Sequence, residues 1–330
     1  MNAASLKRRL AALVCLSIIS LPSHAQQAPP RTRDGHPDFS GTWGTRGLTP
    51  MERLPGAAQL IASDAEAHAL ADRVYAGLRS LETSPFVDPD LLNADIHTLN
   101  RVAGQWRTSM IIDPPDGKLP FSANGRQMIA EWSHWKALAE GAGGEGPEAR
   151  PIFERCLSGT GRAPLVTVPA DNVREIIQTP NSVVIYSEEG GDLRIVGIGA
   201  QHQDGATPSW WGETTARWEG DVLVAETVRL RDQMVAGPTN NFMVGPGTRV
   251  TERFRFVSRD EVAYQFTIED ARLYDRAWTA EYNLNRITGG GREYGCHEGN
   301  YSLPDILQAA RRADHLAAMA VQDNGQSGRR

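Results

Sequence analysis

The chain has 330 residues, with 34 lysines and arginines against 40 aspartates and glutamates, and the two signs of charge are interspersed. This mildly acidic balance lacks the basic patch of a nucleic-acid-binding protein, so no nucleic-acid partner is expected. The length allows one large domain or two small ones, and no repeat of a solenoid period is seen.

The first residues have the three parts of a secretory signal peptide. Lys7, Arg8 and Arg9 form a positive segment, residues 10–19 form an apolar run, and Ala25 ends a small-residue cleavage site. The run is too short to span a bilayer, and no later segment is long and apolar enough to do so. We therefore expect cleavage after about Ala25 and a periplasmic or secreted protein without a transmembrane segment.

The predicted elements begin with a polar, proline-rich arm and a first strand at residues 38–43. Ser63 and Glu66 fit a capping box, in which a serine oxygen and a glutamate satisfy free backbone donors at the start of a helix. A helical segment is expected from there, at about 63–80. A second one is expected at about 124–140, before a loop rich in glycine and proline.

From Val173 onward, apolar residues alternate with a period of two, which is typical of strands. Strands are expected at 176–177, 183–186, 193–198, 215–218, 222–227, 250–257, 262–268 and 278–284. Consecutive strands without helices between them favour an antiparallel meander that closes into a barrel. The fold class is therefore predicted to be mainly β with flanking helices: a barrel, a helical N-terminal segment and a C-terminal helix starting at Ser302.

The domain organisation follows from these elements. Residues 1–25 are the predicted signal peptide, and residues 26–320 are expected to form a single barrel domain. The helical segments at about 63–80 and 124–140 are insertions in that domain. Residues 321–330 are expected to be a disordered tail.

Two cysteines, Cys156 and Cys296, remain when Cys15 leaves with the signal peptide. In an oxidising compartment such a pair most economically forms one disulfide, which is our prediction. Free thiols, or a thiolate nucleophile beside His297, are the alternatives. A nucleophilic thiolate must be kept reduced, which an exported protein rarely achieves.

Carboxylates fall on the apolar faces of several predicted strands. Alternate side chains face the inside of a small barrel, and Glu252, Asp270 and Glu226 each follow an apolar face. Burying a carboxylate without a partner is costly. These residues are expected to pair with arginines such as Arg194, to lie at the barrel rim, or to line a ligand or catalytic pocket.

His297 and Glu298 directly follow Cys296. Because an imidazole exchanges protons near neutral pH, His297 is the candidate acid or base, with Glu298, Glu252 or Asp270 as its carboxylate partner. The alternative is a structural histidine that fixes the final helix to the barrel.

Candidate substrate-binding residues share a cationic or aromatic side chain: Arg107, Arg155, Arg194, His202, Trp210, Trp211 and Tyr301. The arginines would hold an anionic or hydroxylated group. The tryptophan pair would either stack on a sugar or aromatic ligand, or cap the core. No metal-ligand spacing, phosphate-binding glycine loop or nucleophile elbow occurs in the sequence, so no metal or other cofactor is expected.

Several motifs occur in the order seen in a large group of exported, mostly uncharacterised bacterial proteins, which the chain resembles. They are DFSGTW, RTSMIIDPPDGKLP, ERC, IIQTPNSVVI, RWEGDVLVAET, ERFRFV, AWTAEY and YGCHEGNY, and they span almost the whole predicted mature chain. The resemblance implies no established reaction. The G-x-W of the first strand and the meander also resemble lipocalin-type barrels, an analogy of fold alone.

The chain departs from this group after Glu189, where a His-Asp-Ala-Arg run is expected. Here residues 190–194 read Gly-Gly-Asp-Leu-Arg, so any role of that histidine is missing or moved, with His202 as the candidate.

Two functions are predicted as the main alternatives. The first, which is favoured, is an exported, metal-independent hydrolase, lyase or isomerase that uses acid–base chemistry on a small aromatic or glycosidic substrate in a barrel pocket. The second is a non-catalytic, lipocalin-like binding protein for a small hydrophobic or aromatic ligand. An envelope structural module is a third possibility. The sequence indicates neither the substrate nor the oligomeric state.

Overall fold

The structure is a computed structural model. It describes residues 28–82, 95–131, 146–147, 150, 154–157, 160–167, 173–236 and 241–327. The predicted signal peptide, the second half of the predicted helix at 124–140 and the end of the predicted tail lie outside the described residues.

The described residues contain strands β1 (Gly41–Gly44), β2 (Ile61–Ala62), β3 (Arg101–Val102), β4 (Gln105–Arg107), β5 (Ile111–Asp113), β6 (Arg174–Gln178), β7 (Ser182–Ser187), β8 (Asp192–Ile198), β9 (Glu213–Glu219), β10 (Val222–Val228), β11 (Gln233–Ala236), β12 (Asn241–Val244), β13 (Arg249–Ser258), β14 (Glu261–Glu269) and β15 (Trp278–Arg286). The helices are α1 (Asp64–Val74), α2 (Ala76–Glu82), α3 (123–131), α4 (Cys296–Gly299) and α5 (Ser302–Ser327).

Nine strands close into a barrel, which confirms the predicted mainly β, lipocalin-like fold with flanking helices. Their order is β1-β6-β7-β8-β9-β10-β13-β14-β15, and β15 pairs back to β1. Strand direction cannot alternate all the way around a ring with an odd number of members. One neighbouring pair must therefore be parallel, and here it is β8 with β9, where Gly197 lies opposite Thr215.

The barrel is closed by a contact between its first and last strands. Trp43 on β1 is fully buried, and its indole nitrogen donates a hydrogen bond to the carbonyl of Phe39 at 2.8 Å. The guanidinium of Arg286 on β15 lies 4.3 Å from the centre of the indole ring, a favourable cation–π distance. Together these contacts fix the barrel seam.

The barrel interior is a single apolar cluster built from alternate side chains of the strands. Its large aromatic members are Phe39, Trp43, Phe242, Phe254, Tyr264, Phe266, Tyr274, Trp278 and Tyr282. The predicted alternation correctly identifies the inward face of β13 and β14. It is wrong for β10, where Leu223 and Ala225 join the barrel core and Glu226 faces outward. Two strands that the sequence did not indicate, β11 and β12, form a separate hairpin, and Phe242 of β12 joins the barrel core.

A second, smaller core lies beside the barrel, where α1 and α2 pack with the small sheet of β2, β3 and β4. Its buried members include Leu48, Leu54, Leu70, Tyr75, Ile96, Leu99 and Trp106. Helix α1 begins as predicted, because the Ser63 hydroxyl accepts a hydrogen bond from the backbone N–H of Glu66. This unit contacts the outer face of β15, for example through Asn100, whose side-chain oxygen accepts the backbone N–H of Asn283.

The final helix, α5, extends to Ser327, into the segment that was predicted to be a disordered tail. Asn300 assists its start, since its side-chain oxygen accepts the backbone N–H of Leu303 at 3.3 Å. The residues from 311 to 320 are all exposed. No described helix combines the length and apolar character that crossing a bilayer would require.

Candidate functional site

A buried ion pair occupies the middle of the barrel. Glu252 on β13 is fully buried and accepts two hydrogen bonds from Arg194 on β8, at 2.9 and 3.0 Å. It also accepts the hydroxyl of Tyr264 at 2.6 Å. Burial alone would lower the pKa of Arg194, but the Glu252 carboxylate outweighs it and the pKa is raised. Glu252 is therefore a paired ion, which was one of the alternatives drawn from the sequence.

Residues 160–167, hereafter the internal segment, run through the barrel beside this ion pair. Leu165 is fully buried, and its backbone N–H donates to the Tyr264 hydroxyl at 2.8 Å. The Tyr282 hydroxyl in turn donates to the carbonyl of Leu165 at 3.0 Å. Because both tyrosines belong to the barrel core, these contacts place the internal segment inside the barrel, next to the pair of Glu252 and Arg194.

One end of the barrel carries a row of polar side chains that face inward. Arg174 on β6 lies opposite Ser187 on β7, and Ser187 lies opposite Asp192 on β8. All three are buried. The internal segment reaches this row at Gly161, whose backbone N–H donates to Asp192 at 2.9 Å. A Cβ atom on Gly161 would lie 2.8 Å from the Ser187 hydroxyl, so only glycine permits this approach.

This part of the barrel, formed by Thr160, Arg162, Arg174, Ser187 and Asp192, is called the arginine end below. Several buried donors there have no hydrogen-bond partner among the described residues: Thr160 Oγ1, Arg162 Nε and Nη1, Arg174 Nε and Ser187 Oγ. Burial lowers the pKa of Arg162, and the charge of Asp192 only partly opposes that shift. Because buried polar groups in proteins are nearly always paired, such a concentration marks a place where a bound molecule can complete the hydrogen bonding.

The disulfide between Cys156 and Cys296 is confirmed, with a Cα–Cα distance of 5.8 Å. It holds α4 against residues 154–157, and the side chain of Asn300 reinforces the join by donating to the carbonyl of Glu154 at 2.8 Å. His297 and Glu298 on α4 are both exposed. Within the described residues, no hydrogen bond or ion pair joins His297 to Glu252 or Asp270, so the structure does not assemble that acid–base group.

Asp270 lies at the end of β14, where it orders a turn. It accepts the hydroxyl of Thr248 at 2.7 Å and the Nη2 group of Arg272 at 3.0 Å. Its backbone carbonyl accepts the N–H groups of Leu273 and Tyr274. Burial would raise the pKa of Asp270, but the hydrogen bonds from Arg272 and Thr248 outweigh it and hold the pKa below its usual value.

We expect Asp270 to contribute to the pH dependence of stability. A carboxyl whose pKa is lowered by folding stabilises the protein above its unfolded-state pKa, about 3.9, and this contribution is lost as the pH falls through the folded-state pKa. Asp270→Asn should therefore reduce the free energy of unfolding near neutral pH and have a smaller effect in acid. Urea denaturation of both proteins across the acid range measures this, with the exposed Asp275→Asn as control. The same difference in unfolding free energy between wild type and Asp270→Asn at every pH would contradict the predicted pH dependence.

Of the other candidate binding residues, Arg194 is the partner of Glu252 in the middle of the barrel, and the rest have no described hydrogen bond or ion pair to the arginine end. Arg107 pairs with Glu281 at 3.1 Å on the outer side of β15. Arg155 is half-buried beside the disulfide, and Tyr301 is 75% exposed. The structure therefore does not bring these side chains together into one pocket.

His202 lies on the outer wall of the barrel, in the connection 199–212 that joins the two parallel strands. Its Nε2 is 3.2 Å from a Glu226 oxygen, and its Nδ1 is 3.5 Å from a Glu213 oxygen. Glu213 is paired with Arg229, and Glu226 with Arg249. Since both ring nitrogens face carboxylates that are themselves paired, this cluster fastens the connection to the barrel wall.

The two tryptophans of the same connection are also outside the barrel. Trp210 is 37% exposed, with the guanidinium of Arg231 5.0 Å from the centre of its ring, and Trp211 is partly buried. Among the described residues, no group of three or more histidine, cysteine, aspartate or glutamate side chains is arranged to hold a metal ion.

Comparisons with protein-family models and with curated proteins give no match. The function therefore has to be inferred from the geometry of the chain itself.

Sequence reasoning missed Arg162 and Arg174. Arg174 could have been found, because it shares the inward face of β6 with Ile176 in the same period-two pattern that identified Glu252. Arg162 gave no such signal, since the internal segment has no regular secondary structure.

Proposed function

We propose that the protein is an exported, lipocalin-like binding protein that holds a small molecule at the arginine end of its barrel. The observation that carries the proposal is the set of unpaired, buried donors on Arg162, Arg174, Ser187 and Thr160. A ligand with acceptor atoms would satisfy them, whereas the apolar remainder of the barrel core is already filled by side chains. The signal-peptide pattern and the disulfide support export.

Binding is favoured over the acid–base enzyme because the proposed catalytic groups are separated. Glu252 is held by Arg194 and Tyr264, Asp270 by Arg272 and Thr248, and His297 is exposed outside the barrel. A general base must lie within hydrogen-bonding reach of its partner and of the proton that it removes. The enzyme hypothesis, with an aromatic or glycosidic substrate, therefore ranks second.

A thermal-shift screen of the mature, oxidised protein against a small-molecule library tests the proposal. Ligands of the arginine end are expected to stabilise the wild type and not Arg162→Gln, because a ligand stabilises a protein only in proportion to its binding to the folded state. Arg255→Gln on the exposed face of β13 is the matched control and should behave like wild type.

Two results would overturn the proposal. Stabilisation that is equal in wild type and Arg162→Gln for every ligand would place binding elsewhere. Conversion of a ligand into a product, detected by mass spectrometry and abolished by His297→Ala, would establish the acid–base enzyme instead.

A further inference from the structure

Arg174 is a buried cation that has no counter-ion within the described part of the chain. Its side chain is 2% exposed. Its Nη2 group donates to the carbonyl of Val166 at 2.6 Å, its Nη1 group makes a long contact of 3.5 Å with the carbonyl of Val173, and its Nε has no partner. No ion pair to Arg174 is found among the described residues. Carbonyl oxygens accept hydrogen bonds from a guanidinium, but they do not neutralise its charge. Burying a charge without compensation is costly.

Arg194 is a buried arginine of the same barrel that does have a counter-ion. That side chain is as well buried as Arg174, and it receives a full carboxylate with two hydrogen bonds from Glu252. Among the residues that the structure describes, neither Arg174 on β6 nor Arg162 on the internal segment has an ion pair of this kind. Arg174 differs from Arg194 in its counter-charge and not in its burial, whereas Arg162 is only partly buried.

Asp192 belongs to the arginine end, and its charge only partly offsets the effect of burial on the pKa of Arg162. Asp192 and Glu189 lie on β8 and the turn before it, and both are buried. Asp192 accepts the backbone N–H of Gly161, and no ion pair joins either carboxylate to Arg162 or Arg174 within the described residues. A water molecule would complete the hydrogen bonds of the unpaired donors but would leave the positive charge unbalanced.

The unpaired groups also have the chemistry of an oxyanion site. Guanidinium groups present planar, charged N–H donors that match the oxygens of carboxylate, phosphate or sulfate, and hydroxyl donors such as Ser187 Oγ and Thr160 Oγ1 add neutral hydrogen bonds. From these contacts we infer that the ligand carries an anionic oxygen group, a carboxylate, phosphate or sulfate, held by Arg162 and Arg174. The inference rests on the proposed function and specifies the ligand class of the same site.

Matched pairs of a carboxylate and its amide test the charge separately from the shape. Benzoate against benzamide and acetate against acetamide, together with inorganic phosphate and sulfate, are titrated into the mature, oxidised protein by calorimetry. The carboxylate is expected to bind about tenfold more tightly than its amide, because a hydrogen bond to a charged group is roughly twice as strong as a neutral one. Arg162→Gln should remove this preference, and Arg255→Gln should keep it.

A stability measurement separates a binding role from a structural one. Since Arg162 is a poorly compensated charge, Arg162→Gln without ligand is expected to be at least as stable as wild type while it loses anion binding. A structural arginine would show the opposite, a loss of stability. Ser187→Ala removes an unpaired hydroxyl without changing charge, and it should reduce anion affinity by a smaller factor.

The outcomes distinguish the two proposals. If amides bind as tightly as carboxylates and both depend on Arg162, the anion inference fails and the proposed binding function stands. If none of the anions binds in an Arg162-dependent way, the anion inference also fails. If no compound in the library, charged or neutral, shows binding that depends on Arg162, both the anion inference and the proposed function fail.

Discussion

Replacing Glu252 by glutamine is expected to lower the free energy of unfolding by about 3–5 kcal/mol, the loss typical of a buried ion pair that keeps one partner. The carboxylate is fully buried, and Arg194, which it neutralises, is only 4% exposed. The amide preserves the shape of the side chain and can still accept the Tyr264 hydroxyl. It leaves the Arg194 charge inside the barrel without a counter-ion, and that charge is the source of the expected loss.

Removing both charges should undo most of this loss. Arg194→Met with Glu252→Leu replaces the pair by apolar side chains of similar volume, an exchange that is often neutral or stabilising. Denaturant titrations of the wild type, the single variant and the double variant measure the difference. Glu219→Gln is the control, because Glu219 pairs with Arg217 and Arg253 on the exposed wall and its loss should matter much less.

A loss in Glu252→Gln as small as that in Glu219→Gln would contradict the importance of the buried pair. A large loss that the double variant does not reverse would show that the shape of the pair, and not its charge balance, supports the internal segment. The second result is informative, because Tyr264 links Glu252 to the backbone of Leu165.

The barrel strands were predictable because each has one buried face, and a period of two records that face in the sequence. Glu252 was found in this way, as a carboxylate in register with Val250 and Phe254. The parallel pairing of β8 with β9 was not predicted. It depends on the number of strands that close the ring, and the sequence of a single strand does not show that number. The hairpin of β11 and β12 was missed because its strands are short.

The candidate site was much harder to predict than the fold. His297 attracted attention because three reactive residue types are adjacent in the chain, yet adjacency along α4 says nothing about which side chains meet in space. The proposed site combines Arg162 of the internal segment with Arg174 and Ser187 from two strands, β6 and β7. The internal segment that carries Arg162 is held by tyrosine hydroxyls and single backbone groups, and such contacts leave no periodic pattern.

The double variant Cys156→Ser, Cys296→Ser is expected to lose about 5 kcal/mol of unfolding free energy, since the bridge joins residues that are 140 apart in the sequence and restricts the unfolded chain accordingly. The closed loop contains the internal segment and all the barrel strands except β1. Guanidinium denaturation of oxidised wild type and the double variant measures the loss. Adding reductant should lower the midpoint of wild type and leave the variant unchanged.

The same double variant should also bind anions more weakly than wild type. Measuring its anion affinity separates a role of the disulfide in stability from a role in positioning Arg162. Cys156 immediately precedes the part of the chain that leads into the internal segment, so the bridge limits the positions that Arg162 can take. If the folded variant binds anions as wild type does, the bridge stabilises the fold alone. Equal denaturation midpoints for oxidised wild type and the variant would contradict the predicted stabilisation. A weaker preference for carboxylates in a variant that is still folded would instead show that the disulfide helps to position Arg162 for anion binding.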